Sequence, residues 1–533
     1  MSAIEVSSES PYEDPVAIIW FRRDLRLQDH GPLSHAIEQG LPVLPIFNLE
    51  PERLSRKDAS MRHLRFQYES LLELEDELVP YDTSIHIFHR KVIHLLQDLQ
   101  TIFPQMLLFS HQETGIKSTR DELAGIRKFC KENGIVWEEF PNHGVIPGLQ
   151  EPKEWEQCWF SLMNEPIYQV DLGQLQPIHL SEEWLEEHQG EPLPAGLMRR
   201  QKTFQRGGIK RAHTLWDAFL QQTTEEQENT TSPVETTRLS PYIAWGNVSI
   251  RRLYQSFNRQ FELPAFPKKM HPFILKLWKH CYAIQRLESE PRMEFENLNR
   301  AFSSIRNDHD EDKIQAWKKG ETGYPLVDAA MQCVVETGSL SFRLRALLVS
   351  FLTHHLWQDW REGVNHLAQQ FLDYEPGIHY HLFQIHASTT GLEKVQVFDP
   401  VKESTSFDPE GRFILKWLPE LSSLPLSLLH TPWKMTGMEQ NFFQCRLGID
   451  YPYPIVNATE AGKFAKEILQ NLKASPETKA ESKRIQARMV PLKRIHKQTT
   501  PLKKRSSPHR EEKVEKQTEP SSQLTLLGNP QDN

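Results

Sequence analysis

Between residues 16 and 145, short apolar runs alternate with longer stretches of helical spacing. Val16-Ala17-Ile18-Ile19-Trp20, Val43-Leu44-Pro45-Ile46-Phe47, Ile85-His86-Ile87-Phe88, Met106-Leu107-Leu108-Phe109 and Ile135-Val136-Trp137 are short and continuously apolar, and read as buried strands. Residues 61–78 and 117–133 carry apolar positions three and four apart and read as helices. Strand–helix alternation predicts a parallel, doubly wound sheet, whose ligands sit at the carboxyl ends of the strands. The loop after the first strand, Phe21-Arg22-Arg23-Asp24-Leu25-Arg26-Leu27-Gln28-Asp29-His30, lies at that end. Its crowded charges read first as an ion-pair network joining this domain to the next, and second as a ligand site. It has no G-x-G-x-x-G, which disfavours a nicotinamide-dependent dehydrogenase.

Further along, the pattern changes twice. Residues 146–235 are irregular and rich in Pro, Glu and Gln, and read as a connector with short helices. Residues 236–472 are helical throughout, broken by Pro- and Gly-bearing loops, and residues 473–533 are polar, basic and nearly free of aromatics, which predicts disorder. The expected architecture is an α/β domain over 16–145, a connector over 146–235, an all-α domain over 236–472 and a disordered tail over 473–533. In the helical part, tryptophans, arginines and carboxylates share segments of helical apolar spacing. Such charges are costly to bury unless they are paired or hold a ligand, so a large ligand with polar and aromatic parts is expected there.

Composition narrows this picture. A chain of 533 residues suggests two or three domains. Its formal charge of −9 is uneven, because residues 473–533 carry an excess of Lys and Arg, so a local basic groove is compatible with the acidic total. Five scattered cysteines form no C-x-x-C pair and no zinc spacing, so reduced thiols in a cytoplasmic protein are expected, with no structural metal. Residues 1–15 are acidic and Ser-rich without an apolar stretch, so no export signal is expected. No apolar run approaches the ~18 residues of a membrane span, and a monomer is expected.

The motifs carry the chemistry. Thr236-Thr237-Arg238-Leu239-Ser240-Pro241-Tyr242-Ile243-Ala244-Trp245-Gly246 puts hydroxyls, backbone N–H groups and an arginine at a helix start. That arrangement suits an anion, or an ordinary N-cap. Downstream stand Trp317-Lys318-Lys319-Gly320-Glu321-Thr322-Gly323-Tyr324-Pro325, Phe342-Arg343-Leu344-Arg345, Trp357-Gln358-Asp359-Trp360-Arg361-Glu362-Gly363, Asp373-Tyr374-Glu375 and Lys416-Trp417-Leu418-Pro419-Glu420-Leu421. Together these resemble the flavin-binding half of the cryptochrome/photolyase family. Trp20–Asp29 and Ser110-His111-Gln112-Glu113-Thr114-Gly115 resemble its N-terminal half.

The resemblance implies an antenna domain joined to a helical domain that holds FAD non-covalently, with a folate or deazaflavin antenna left open. It implies that Thr236, Thr237, Arg238, Leu239 and Ser240 hold the pyrophosphate. It also implies that Arg343 pairs with a carboxylate beside the isoalloxazine, with Arg345 on the same helix, and that Asp373, Tyr374 and Glu375 meet the flavin and its adenine side. His379 falls at the position facing flavin N5, where a histidine titrating near neutral pH would tune protonation. Trp317 and Trp360 match two members of the family's tryptophan chain, but its flavin-proximal member is Phe383 here, which breaks the chain or reroutes it through Trp357 or Tyr380.

The substrate side departs further. The family's E-L-x-W becomes Lys276-Leu277-Trp278-Lys279-His280, an Asn becomes Phe342, and the second Trp of W-x-W becomes Ile385. Trp278 and Phe342 are then the pocket candidates. Lys276, Lys279 and His280 either contact DNA phosphates or form a solvated helix face. The expected activity is blue-light-driven repair of pyrimidine photoproducts in DNA, and the alternative is a photoreceptor without repair. The tail segment Gln523-Leu524-Thr525-Leu526-Leu527 resembles the bacterial sliding-clamp-binding peptide, which makes a clamp an expected partner.

Overall fold

The computed structural model of the chain describes residues 4–6, 12–149, 151–199, 201–226, 237–265 and 270–488. Thr236 and the segment Gln523-Leu524-Thr525-Leu526-Leu527 lie outside the described residues. Seven strands, β1 (Ile4–Val6), β2 (Val16–Phe21), β3 (Pro42–Asn48), β4 (His86–Phe88), β5 (Met106–His111), β6 (Val136–Phe140) and β7 (Gln176–Leu180), form one sheet. Its order is β1-β7-β3-β2-β5-β6, with β4 also paired to β3, and every pairing is parallel. Central strand β2 is buried along its whole length, as a parallel strand covered by helices on both faces must be. Helices α1 (Gly31–Glu38) and α2 (Met61–Leu78) cover one face, and α3 (Val92–Ile102) and α4 (Lys117–Glu132) cover the other.

The connector is less passive than its composition suggests. β7 lies inside it and pairs with the start of β3, through Pro42↔Gln176 and Val43↔Pro177, while β4 takes the end of the same edge. Pro177, Ile178 and Leu180 of β7 are buried, and this short buried run is hidden in sequence by the surrounding Pro, Glu and Gln. α5 (Trp155–Asn164) and α6 (Ile209–Glu226) complete the segment.

The helical part comprises α7 (Ser240–Ala244), α8 (Ile250–Gln260), α9 (Pro272–Ser289), α10 (Glu311–Lys319), α11 (Pro325–Thr337), α12 (Phe342–Ser350), α13 (Arg361–Gln370) and α14 (Pro376–His386). Shorter turns follow, and then α15 (Ala458–Ala474) and α16 (Pro476–Arg488). α11, α12 and the tryptophans Trp317 and Trp360 centre the largest apolar cluster, and Trp155, Tyr242, Trp245 and Trp278 centre a second. α16 corrects the expected start of the disordered tail at 473. Its Ile485 packs with Leu287, Met293 and Leu298, and Arg484 meets Glu290 at 3.5 Å. No helix of the described residues is long and apolar enough to cross a membrane.

The loop after β2 fastens the two parts together, as its charge density suggests. Leu25 N–H donates to Trp245 O, Asn247 donates to Leu25 O and Arg26 donates to Gly246 O. Gly246 has φ +76°, and a Cβ there would lie 2.2 Å from Arg23 O, so only glycine lets the backbones meet. Asp29 receives Arg251 and the Ser249 hydroxyl across the interface, all of them buried. Burial opposes ionisation of Asp29, yet these partners hold its pKa below the usual carboxylate value. The stability it contributes is therefore present above the ordinary carboxylate range and is lost as pH falls through the depressed pKa. Asp29→Asn leaves Arg251 buried without its countercharge and should lower unfolding stability by about 3–5 kcal/mol at neutral pH. A denaturant titration that shows no loss would mean that the interface does not depend on this pair.

Candidate functional site

Where the start of α7 approaches the loop before α14, polar groups converge. Thr237 Oγ1 accepts from Leu239 N–H at 3.3 Å, Leu239 is buried as an anchor, and Arg238 is exposed at φ +54°. The Ser240 hydroxyl opens α7 and reaches the Asp373 carboxylate. Trp245 Nε1 donates to Leu372 O at 2.8 Å, so the helix with the hydroxyls and the loop with the carboxylates are tied directly.

Asp373 is the focus. Arg345 Nη2 meets its two carboxylate oxygens at 2.9 and 2.8 Å, while Arg345 Nε is held by Leu340 O and its guanidinium lies 4.0 Å from the centre of the Phe371 ring. Burial alone would favour the neutral acid. The charge and hydrogen bonds of Arg345, with Ser240, reverse this and keep the Asp373 pKa below the usual value. Glu375 caps α14 and pairs with Arg23 at 3.2 Å, and burial pushes its pKa up against that arginine.

Several expected roles move. Arg343, assigned to the buried carboxylate, points outward and pairs with Glu403 at 2.8 Å and with Ser406, so Arg345 makes the buried pair instead. His379 turns into the core, where its Nε2 contacts Val364 O at 2.7 Å beside Phe383, and burial lowers its pKa to about 4. It is therefore a neutral imidazole at physiological pH and not a group titrating near neutrality. Tyr374 faces the α/β domain, donating to Asp58 and stacking near His63. His280 is turned inward beside His143 with its pKa lowered to about 4 by burial, so it leaves Lys276 and Lys279 alone on the exposed face of α9.

The aromatic candidates separate in the same way. Trp278 is buried, stacked on Tyr282 at 4.8 Å and edge-on to Trp155. Phe342 is 63% exposed at the start of α12, against His386. Trp317 and Trp360 are fully buried, donating to Leu348 O and Asn297 Oδ1. Trp360 has two ring neighbours on α14, Tyr380 at 6.2 Å and Phe383 at 6.5 Å, whereas Trp357 packs on Arg306 and Phe464.

One cluster escaped the sequence reading. Asp24, His30 and His111 are buried with their ligand-type atoms within 4.8 Å of one another. His30 Nδ1 accepts from Leu33 N–H, which puts its proton on Nε2, the atom facing Asp24 at 3.3 Å. His111 Nδ1 approaches the same carboxylate at 2.7 Å. The group reads as two imidazoles serving one buried carboxylate. Asp24 and His30 share the loop after β2 and His111 ends β5, so sequence spacing alone does not bring the three together.

Two family models match the chain, "DNA photolyase" over residues 17–154 and "FAD binding domain of DNA photolyase" over residues 273–471. The chain belongs to the cryptochrome/photolyase family. It is 28% identical over 480 residues to a deoxyribodipyrimidine photo-lyase of Alkalihalophilus pseudofirmus, covering 85% of this chain and 97% of that protein. It is 25% identical to a cryptochrome DASH of Synechocystis sp., covering 86% and 98%. A crystal structure of Synechocystis cryptochrome shares the fold with a TM-score of 0.75 at 22% identity, covering 86% of this chain and 99% of that one.

This photolyase/cryptochrome chain carries the family's FAD-binding domain, and its residues fit the cofactor. The largely buried Arg345–Asp373 pair could offer paired charge to a polar ring edge, and the exposed Arg238 and Ser240 could meet phosphate. On α9 and α14, Trp278 Nε1, His280 Nε2 and His381 Nδ1 are buried without hydrogen-bond partners. Phe383, expected at the flavin-proximal position of the tryptophan chain, is fully buried next to Trp360. Phe383→Trp should speed flavin photoreduction under blue light with an external electron donor. An unchanged rate in a variant with normal FAD content would mean that Tyr380, the other ring neighbour of Trp360, already carries the electron.

Proposed function

We propose that this chain is a light-driven DNA lyase that repairs pyrimidine dimers. The observation that carries the reading is full-length similarity to a deoxyribodipyrimidine photo-lyase combined with the buried Arg345–Asp373 pair in the FAD-binding domain. Bound and reduced, FAD supplies the photoexcited electron that splits a dimer. The chain's own residues do the rest. Arg345 and Ser240 keep Asp373 ionised, and these residues together with Arg238 would hold the cofactor. Exposed Phe342 offers an apolar face to unstacked bases, while Lys276, Lys279 and Arg343 supply cations for the DNA backbone.

A photoreceptor without repair is the second reading, favoured by one observation. Trp278, the aromatic candidate for the dimer pocket, is 1% exposed and already stacked within the core. Blue-light treatment of dimer-containing oligonucleotides, single- and double-stranded, separates the two. We expect dimers to disappear only with FAD-loaded protein and light, and Lys276→Ala with Lys279→Ala to weaken DNA binding about tenfold or more at low salt. Intact dimers after exhaustive illumination of protein whose flavin photoreduces would leave the photoreceptor reading.

A further inference from the structure

Where the start of α2 meets the connector there is a basic cleft that the flavin reading does not use. Its volume is about 580 Å³, within the ~300–1,000 Å³ usual for small-molecule sites. Arg62, Arg65 and Arg199 line it together with Ser60, Gln201 and Phe204, and none of its lining residues is a carboxylate. In a chain with a formal charge of −9, three arginines with no acid among them call for an explanation. None of the lining residues belongs to the group around Asp373.

Two of the arginines are held by carbonyl groups. Arg62 donates from Nη1 to Val334 O at 3.2 Å and Gln370 O at 2.6 Å, and from Nη2 to Val335 O at 3.2 Å and Gln370 Oε1 at 2.9 Å. Its guanidinium lies 4.6 Å from the Phe204 ring centre. Burial lowers its pKa to about 10, and the charge of Glu336 offsets only part of this. Arg65 donates from Nε to Leu197 O at 3.4 Å and from Nη2 to Gly196 O at 2.7 Å, which leaves Nη1 unengaged among the described residues. The Arg199 side chain is exposed and makes no hydrogen bond or ion pair among the described residues. Elsewhere the chain answers such charges with its own acids, Asp29 for Arg251, Glu113 and Glu122 for Arg53, and Asp373 for Arg345. The charge of this cleft is left open to an anion.

The backbone adds donors to the same place. The Ser60 carbonyl accepts from His63 N–H at 3.0 Å, but the Ser60 hydroxyl makes no capping bond. The N–H groups of Met61 and Arg62 have no partner among the described residues. The positive end of an 18-residue helix therefore sits at the cleft with two free donors. A phosphate suits this set, because its oxygens take charge-assisted bonds from arginines and bonds from a helix start together. Half-buried Phe204 adds a flat apolar wall, the kind of surface on which a nucleobase stacks.

We propose that this cleft binds a nucleotide, with its phosphate at Arg65, Arg199 and the start of α2 and its base against Phe204. Arg62, its edges taken by carbonyls, supplies charge. The chemistry recognised is a phosphate ester joined to a flat base, either free in solution or one unit of a strand. The site uses none of the residues assigned to FAD, and it stands whether or not the chain repairs DNA.

Full-length, FAD-loaded protein is titrated by calorimetry at about 0.1 M salt with AMP, inorganic phosphate and a short undamaged single strand of DNA, while flavin absorbance is followed. AMP should bind saturably, more tightly than inorganic phosphate, and without releasing FAD. Arg199→Gln, at a side chain that holds nothing in the fold, should weaken AMP about tenfold. Phe204→Ala should erase the advantage of AMP over phosphate. The same losses seen with the strand and not with AMP support the site and make the strand its source of phosphate. Equal affinity for AMP and phosphate in the wild type overturns the base contact. AMP and strand both indifferent to Arg199→Gln, or AMP that binds only by releasing FAD, overturns the proposal.

Discussion

Burying a carboxylate is expensive, and the arrangement around Asp373 follows from meeting that cost. Arg345 answers the charge, Ser240 supplies a hydroxyl, and Leu340 O with the Phe371 ring holds the guanidinium in place. Each partner comes from a different segment: Ser240 from α7, Arg345 from α12, Phe371 from the end of α13. The ion pair is therefore formed only when these elements are in register. Its ionised state would give a flavin bound there a fixed, paired charge.

Register between the segments is set across the domain interface. Gly246 lets the backbone of the β2 loop touch the end of α7, and Arg23 joins that contact to Tyr374 and Glu375. Trp245 adds a direct bond to Leu372. The α/β domain thus serves as a template for the helical site as well as a fold in its own right. This also gives several of the charges after the first strand a reason to be in this loop: Arg23, Arg26 and Asp29 each answer a group of the other domain.

Much of this was legible in the chain. Short apolar runs gave the parallel sheet, because a strand buried on both faces has no polar alternation. The hydroxyl-rich helix start was legible by its chemistry as an anion site or an N-cap, and the carboxylate loop only through the family resemblance. The choice between Arg343 and Arg345 was not legible in this way. Two residues apart on a helix they point to nearly opposite sides, and which side faces the core depends on tertiary packing. The orientation of His379 was not legible for the same reason, since its helix turns it onto Val364 O. β7 and α16 were masked by polar composition, although Ile485 supplied the apolar anchor that α16 uses. The Asp24–His30–His111 group depends on contact between the loop after β2 and the end of β5, which no local pattern records.

The central claim is that Arg345 and Asp373 act on FAD as one unit. Its direct test is a double-mutant cycle on FAD affinity, measured by titrating apoprotein of Arg345→Gln, Asp373→Asn and the double variant. Each single change leaves one buried charge unanswered and should weaken FAD about tenfold or more, near 1.4 kcal/mol. The double variant should be no worse than the worse single, because both charges are then gone. Losses that simply add, or singles that bind FAD as tightly as the wild type, would contradict the account.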